Sequence, residues 1–199
     1  HFNRLTQGWK SGCPLLRSPM KAMISTEVGA CFNHLRLHHK YHRAINDNYP
    51  VEVWTYLRDA AAQQPVHRPE PDPAAPLYLC RTAAACGGYM SFGLGDDPNR
   101  TRACMSALSE ALAPLQPHIG GEPQRCVGLV LSGATKDFAY ADPYEGWKHV
   151  HGANNLFEAL HWPVDILLDN MFDRPTLDRY QVVVLPDTRC LGDEAAANL

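Results

Sequence analysis

The sequence predicts an α/β protein built on parallel strands, and the stretch from Cys126 to Thr188 carries the prediction. Three apolar runs, Cys126–Leu131, Val164–Leu168 and Val182–Leu185, stop at Ser132-Gly133, Asp169-Asn170 and Pro186-Asp187-Thr188. Near-continuous runs rich in β-branched residues suit strands that helices cover on both faces. Between the first two runs, Val150, Ala153, Leu156, Phe157 and Leu160 recur at helical spacing within His149–Leu160. Together these make a βαβ unit and the start of another, the pattern of a doubly wound sheet. A further helix opens after Gly192 with Asp193-Glu194-Ala195-Ala196-Ala197, and Leu199 falls inside it. Position 1 is His rather than Met, so the expectation is an excerpt of a longer protein with its second domain cut.

The upstream part alternates in the same way. Residues 1–19 lack periodicity and carry Gly8, Gly12, Pro14 and Pro19, which predicts loop. Met20–Ser25 predicts a short strand ending at Thr26-Glu27-Val28-Gly29, and a helix rich in His, Arg and Lys follows from about Ala30 to Asn46. Val51–Tyr56 is the next strand. Five prolines between Gln63 and Pro76 predict a loop of polyproline character. A helix over Ala75–Cys86 leads through Gly87-Gly88 into a strand at Tyr89–Phe92, and Pro98 opens a helix to about Leu112. Pro114, Pro117, Gly120, Gly121 and Pro123 mark a domain boundary. This order fits the last turns of a (β/α) barrel and fits an open α/β sheet equally well.

Composition narrows the function classes. The chain has 199 residues, enough for one or two domains, and a net charge of −3. That charge gives no reason to expect nucleic acid or an anionic membrane as partner. No apolar run approaches the roughly 20 residues of a membrane span. Seven cysteines are scattered without a C-x-x-C pair, which disfavours a disulfide framework or zinc ribbon and favours a reducing, cytoplasmic setting.

Three passages resemble one enzyme family. They are Ala83-Ala-Ala-Cys-Gly-Gly-Tyr-Met-Ser-Phe92, Val127-Gly-Leu-Val-Leu-Ser132, and Phe157-Glu-Ala-Leu-His-Trp-Pro-Val-Asp165 with Leu177-Asp-Arg-Tyr-Gln-Val-Val-Val-Leu-Pro186. The chain resembles β-galactosidase-type glycoside hydrolases, whose TIM-type (β/α)8 catalytic barrel is followed by a trimerisation domain of flavodoxin-like, glutamine-amidotransferase-like fold. The resemblance implies that residues 1–118 are the C-terminal part of the barrel. It implies that 124–199 are a truncated trimerisation-like domain through which subunits form a homo-oligomer. It also implies a carbohydrate substrate, no cofactor, and hydrolysis by two carboxylates, with the acid/base on a strand upstream of His1.

Glu27 is the candidate catalytic carboxylate, because it stands at a strand's C-terminal end, the functional rim of a barrel. Its alternative role is an acidic residue favoured by a helix dipole. Glu52 is the rival, but it lies near the start of its strand. Trp54 and Tyr56, two apart on one strand, share a face and are candidates for stacking on a sugar ring; core packing is their alternative. Asp96 and Asp97 end the last barrel strand and either bind sugar hydroxyls or cap the helix at Pro98.

His34, His38 and His42, with His39 beside them, fall on one helix without the glutamate of a zinc-protease motif, so a solvated face is expected and no metal site. Ser132-Gly133-Ala134-Thr135 lacks a phosphate-loop pattern. The alternative to a hydrolase is a non-catalytic α/β assembly or ligand-binding protein. A metal-binding protein using the His-rich helix is a weaker third reading.

Overall fold

The computed structural model describes residues 24–27, 32–46, 51–56, 74–93, 98–118, 121–141 and 144–199. The first part contains strands β1 (Ile24–Glu27), β2 (Val51–Tyr56) and β3 (Tyr89–Gly93). They alternate with helices α1 (Phe32–Ile45), α2 (Ala74–Ala85) and α3 (Pro98–Leu112). The strands form one parallel sheet in the order β1-β2-β3. Parallel neighbours need a crossover, and the helices supply it. β1 includes Thr26 and Glu27, two residues beyond the expected end at Ser25; residues 20–23 of the expected strand lie outside the described residues. A short 3-10 helix at Ala113–His118 occupies the expected boundary.

The second part contains β4 (Val127–Leu131), β5 (Val164–Leu168) and β6 (Val182–Val184), parallel and ordered β5-β4-β6. β4 is central, and Val127, Leu129, Val130 and Leu131 are fully buried. β6 is an edge strand among the described residues, and Val182 is exposed. A Cβ at Gly128 would come within 2.5 Å of Leu167 Cδ1 and 3.2 Å of the Tyr180 ring. The missing side chain is what lets those two groups close over β4.

Among the described residues, four helices belong to this part: α4 (Gly133–Ala139), α5 (Tyr144–Ala159), α6 (Arg174–Leu177) and α7 (Asp193–Asn198). α4 and α6 are too short for helical periodicity to reveal them. Their signal is capping: Ser132 Oγ accepts from Thr135 N, and Asp173 Oδ1 accepts from Thr176 N at 2.9 Å. α5 starts five residues before the apolar pattern, at Tyr144.

One helix joins the two sheets. α1 touches β2 of the first and β5 and α5 of the second. Its Leu37, Tyr41, Ala44 and Ile45 belong to the same buried cluster as β4 and β5. Trp147 of α5 packs against the rings of His38 and Tyr41, with centroids 5.3 and 6.0 Å apart.

The expected solvated histidine face is therefore wrong. His39 and His42 have no exposed surface, because α1 is buried between two sheets rather than lying on one. The side chain of His34 lies outside the described residues. The expected apolar stripe of α5 is half right. Val150 is buried and Phe157 packs on the core, but Leu156 and Leu160 are exposed. Asn154 takes a buried place instead, its Oδ1 accepting from Lys40 Nζ at 3.0 Å.

Candidate functional site

The expected rim is set by strand register. Glu27 is paired with Trp54, Trp54 with Ser91, and Tyr56 with Gly93. By strand alternation, positions 27, 54, 56, 91 and 93 fall on one face of the sheet. Glu27, Tyr56 and Gly93 are the last residues of their parallel strands, so they share one edge. Glu52 pairs with Tyr89, the first residue of β3, at the opposite end. The backbone thus brings positions 27, 54 and 56 together. Asp96 and Asp97 lie outside the described residues, as do the side chains of Glu27, Trp54 and Tyr56.

The C-terminal edge of the second sheet is the other place where an α/β fold offers a site. Here it is filled by the chain itself. Ser132 Oγ and Thr135 Oγ1 each donate to Cys190 O at 3.0 Å, and Thr135 Oγ1 accepts from Cys190 N at 2.9 Å. Ala134 N donates to Asp169 Oδ2 at 2.9 Å, tying β5 to α4.

Asp187, at a left-handed φ of 44°, accepts from Tyr140 OH at 2.6 Å and from both Arg189 Nε and Nη2 at 3.0 and 2.8 Å. These donors hold its carboxyl down at about 2. Burial and the adjacent carboxylate push Tyr140 up to about 12. A carboxylate so fully engaged is a poor base, and the space beside it is only about 10 Å³. This edge is a lock between loops.

A larger opening was not legible in the sequence. A cleft of about 660 Å³ lies between α1, α2 and the N-terminal ends of β4 and β5. Its charged residues are dispersed from Arg36 to Arg179, so no short motif announces them. Arg36 Nη1 and Lys40 Nζ hold Glu158 at 3.1 and 2.8 Å. Asp165 faces Arg125 Nε at 3.6 Å and accepts from Tyr180 OH at 3.3 Å. Burial pushes the Asp165 carboxyl above its usual range, opposed by Arg125.

Burial lowers His39 to about 3 and lowers His42 in the same direction, so both are neutral. Among the described residues no three His, Cys, Asp or Glu side chains converge as metal ligands. Among them, too, no helix is long and apolar enough to cross a membrane.

No family model matches the chain, and no curated protein matches it. Among solved structures it is similar to a GH5_18, a glycoside hydrolase family 5 member, from Bifidobacterium longum subsp. infantis, with a TM-score of 0.50 and 12% identity. The likeness covers 88% of this chain, a span that takes in parts of both sheets, and 50% of that one. The chain therefore spans about half the length of the solved structure it matches. The fold is α/β with small parallel sheets, similar to part of a glycosidase of TIM-barrel type. The likeness is to family 5 rather than to the β-galactosidase type.

Proposed function

We propose that the chain is part of a glycoside hydrolase, with Glu27 as one catalytic carboxylate at the C-terminal rim of the first sheet. The observation that carries the reading is the register pairing of Glu27 with Trp54 beside the parallel strand end at Tyr56. It sets an acidic position next to two aromatic ones on one face, where a sugar ring could stack while its anomeric carbon meets the carboxylate. In a retaining mechanism Glu27 attacks that carbon and forms a glycosyl-enzyme, which water then hydrolyses. The acid/base stands on a strand upstream of His1 in this reading. Asp96 and Asp97, which follow β3 in the sequence, serve as sugar hydroxyl acceptors in this reading. The fold likeness to a family 5 hydrolase supports the general class.

The finer reading is of a barrel followed by a trimerisation-like domain. Its support is the order β5-β4-β6, which is second-first-third, the order in which a flavodoxin-like sheet begins. The proposed residents are a carbohydrate substrate in the rim and a second copy of the chain on the second part, with no nucleic acid and no cofactor, in the cytoplasm.

A specific observation also favours the non-catalytic assembly reading. Phe138 is 83% exposed, and Leu156, Leu160, Trp162, Val182 and Leu185 are exposed as well, all in the second part. Exposed apolar surface of this kind marks contact sites. The two readings separate on activity. The full-length protein should hydrolyse at least one of a panel of aryl glycosides, and Glu27→Gln should abolish turnover while the fold is retained. A folded protein inert toward the whole panel favours assembly alone.

A further inference from the structure

We propose that the cleft between α1, α2 and the N-terminal ends of β4 and β5 binds a neutral oligosaccharide, with a sugar ring stacked on Trp162 and its hydroxyls met by the paired side chains around it. Every residue invoked for this site lies outside β1, β2 and β3, so the inference stands whether or not Glu27 is catalytic.

Two aromatic rings set the shape of the ligand. Trp162 and Tyr78 line the cleft and stay 45% and 44% exposed. A half-exposed aromatic inside a concavity offers a flat apolar surface to a ring. A sugar ring presents a matching face of C–H groups.

The end of α5 fixes Trp162 in place. His161 N donates to Glu158 O at 3.0 Å and Trp162 N to Phe157 O at 2.9 Å, with His161 left-handed at a φ of 58°. In this kind of helix ending, the residue after the left-handed one packs back on the last turn. The Trp162 ring does so, with its centroid 6.2 Å from that of Phe157, which itself packs on the core. On the other side Pro163 O accepts from Val127 N at 3.0 Å, where β4 begins. Held from both sides, the indole needs little ordering when a ligand arrives.

The polar lining points to hydroxyls rather than to an ion. Arg36 donates to Tyr78 OH through Nη2 and holds Glu158 through Nη1. Lys40 bridges Glu158 and Asn154. Asp165 faces Arg125 and accepts from Tyr180 OH, Glu122 pairs with both Arg125 and Arg179, and Arg43 donates to Cys86 O. These cations and carboxylates hold one another, which keeps their remaining donors and acceptors in set directions. A hydroxyl both donates and accepts, so a polyhydroxylated ligand meets both kinds of group at once. A simple anion would use the donors alone. The volume, about 660 Å³, lies within the roughly 300–1,000 Å³ typical of small-molecule sites and suits a short oligosaccharide.

Titration calorimetry of the full chain with cellotetraose, xylotetraose and maltotetraose tests this. At least one should bind saturably, with an affinity that changes little as salt rises, since the ligand carries no charge. Trp162→Ala should weaken that binding about tenfold, the scale of one aromatic contact, and Trp162→Phe should restore part of it. Phe138→Ala, at an exposed aromatic of α4, should leave it unchanged. Trp54→Ala separates this cleft from the rim of the first sheet: a component lost with Trp54→Ala belongs to the rim, and one lost with Trp162→Ala belongs to the cleft. If Trp162→Ala does not fold, Tyr78→Ala carries the test with the same expected loss. The proposal is overturned if none of the three sugars binds, if every binding component is indifferent to both Trp162→Ala and Tyr78→Ala, or if Phe138→Ala weakens binding as much as they do.

Discussion

Lys40 of α1 and Glu158 of α5 form an ion pair of 2.8 Å, with side chains 15% and 13% exposed. Arg36 adds a second contact to the same carboxylate at 3.1 Å and donates to Tyr78 OH at 3.1 Å. One carboxylate thereby fastens the helix between the sheets to the crossover helix of the second sheet. Removing it leaves two half-buried cations with less compensation. Glu158→Ala should therefore destabilise the chain by about 2 kcal/mol. Urea unfolding measures this, and a change within about 0.5 kcal/mol, the usual range for surface positions, would show the pair to be ornamental.

The buried histidines make stability depend on pH. His39 and His42 are neutral in the folded chain, their protonation opposed by burial and by neighbouring positive groups, and His39 titrates only near 3. In the unfolded chain both titrate near the ordinary 6.5. Above that value both states are neutral and no penalty arises. As pH falls below it, the unfolded chain takes up protons that the folded one refuses, so stability declines from about 6.5 toward 3. Each histidine contributes at most about 1.4 kcal/mol per pH unit. Unfolding midpoints at pH 7.5, 6 and 5 should fall in that order, and His42→Phe should flatten the decline. An unchanged midpoint across this range contradicts the assignment.

Gly87 sits at φ 71°, and a Cβ there would meet Arg43 Nη1 at 2.3 Å. The guanidinium could swing aside, but it would then lose its bond to Cys86 O, now 2.9 Å. Backbone strain remains in either case. Gly87→Ala should cost about 1–3 kcal/mol, read as a lowered thermal midpoint. A neutral substitution would mean that the turn into β3 relaxes freely.

The strands were legible because buried parallel strands write themselves as apolar runs. Val164–Leu168 was located to the residue, and Val51–Tyr56 equally so. The helix at α1 was legible as a helix but not as a buried one. Its histidines read as polar, and only the second sheet, closing over it through β5 and Trp147, makes them core. Leu156 and Leu160 misled in the opposite sense, since Lys40 and Asn154 hold α5 by polar contacts. The rim residues could be chosen from strand ends, and register brought Glu27 and Trp54 side by side. The cationic cleft could not be seen. Its residues come from helix faces and loops that meet only after both sheets have formed.

The central claim is that Glu27 is the nucleophile of a retaining glycosidase. The direct measurement is covalent trapping in the full-length protein with activated 2-deoxy-2-fluoro glycosides of gluco and galacto configuration, followed by peptide mass spectrometry. The account predicts inactivation with time and a single fluorosugar on the peptide that contains Glu27, absent in Glu27→Gln. Labelling of another carboxylate, or undiminished turnover by Glu27→Gln, would contradict it.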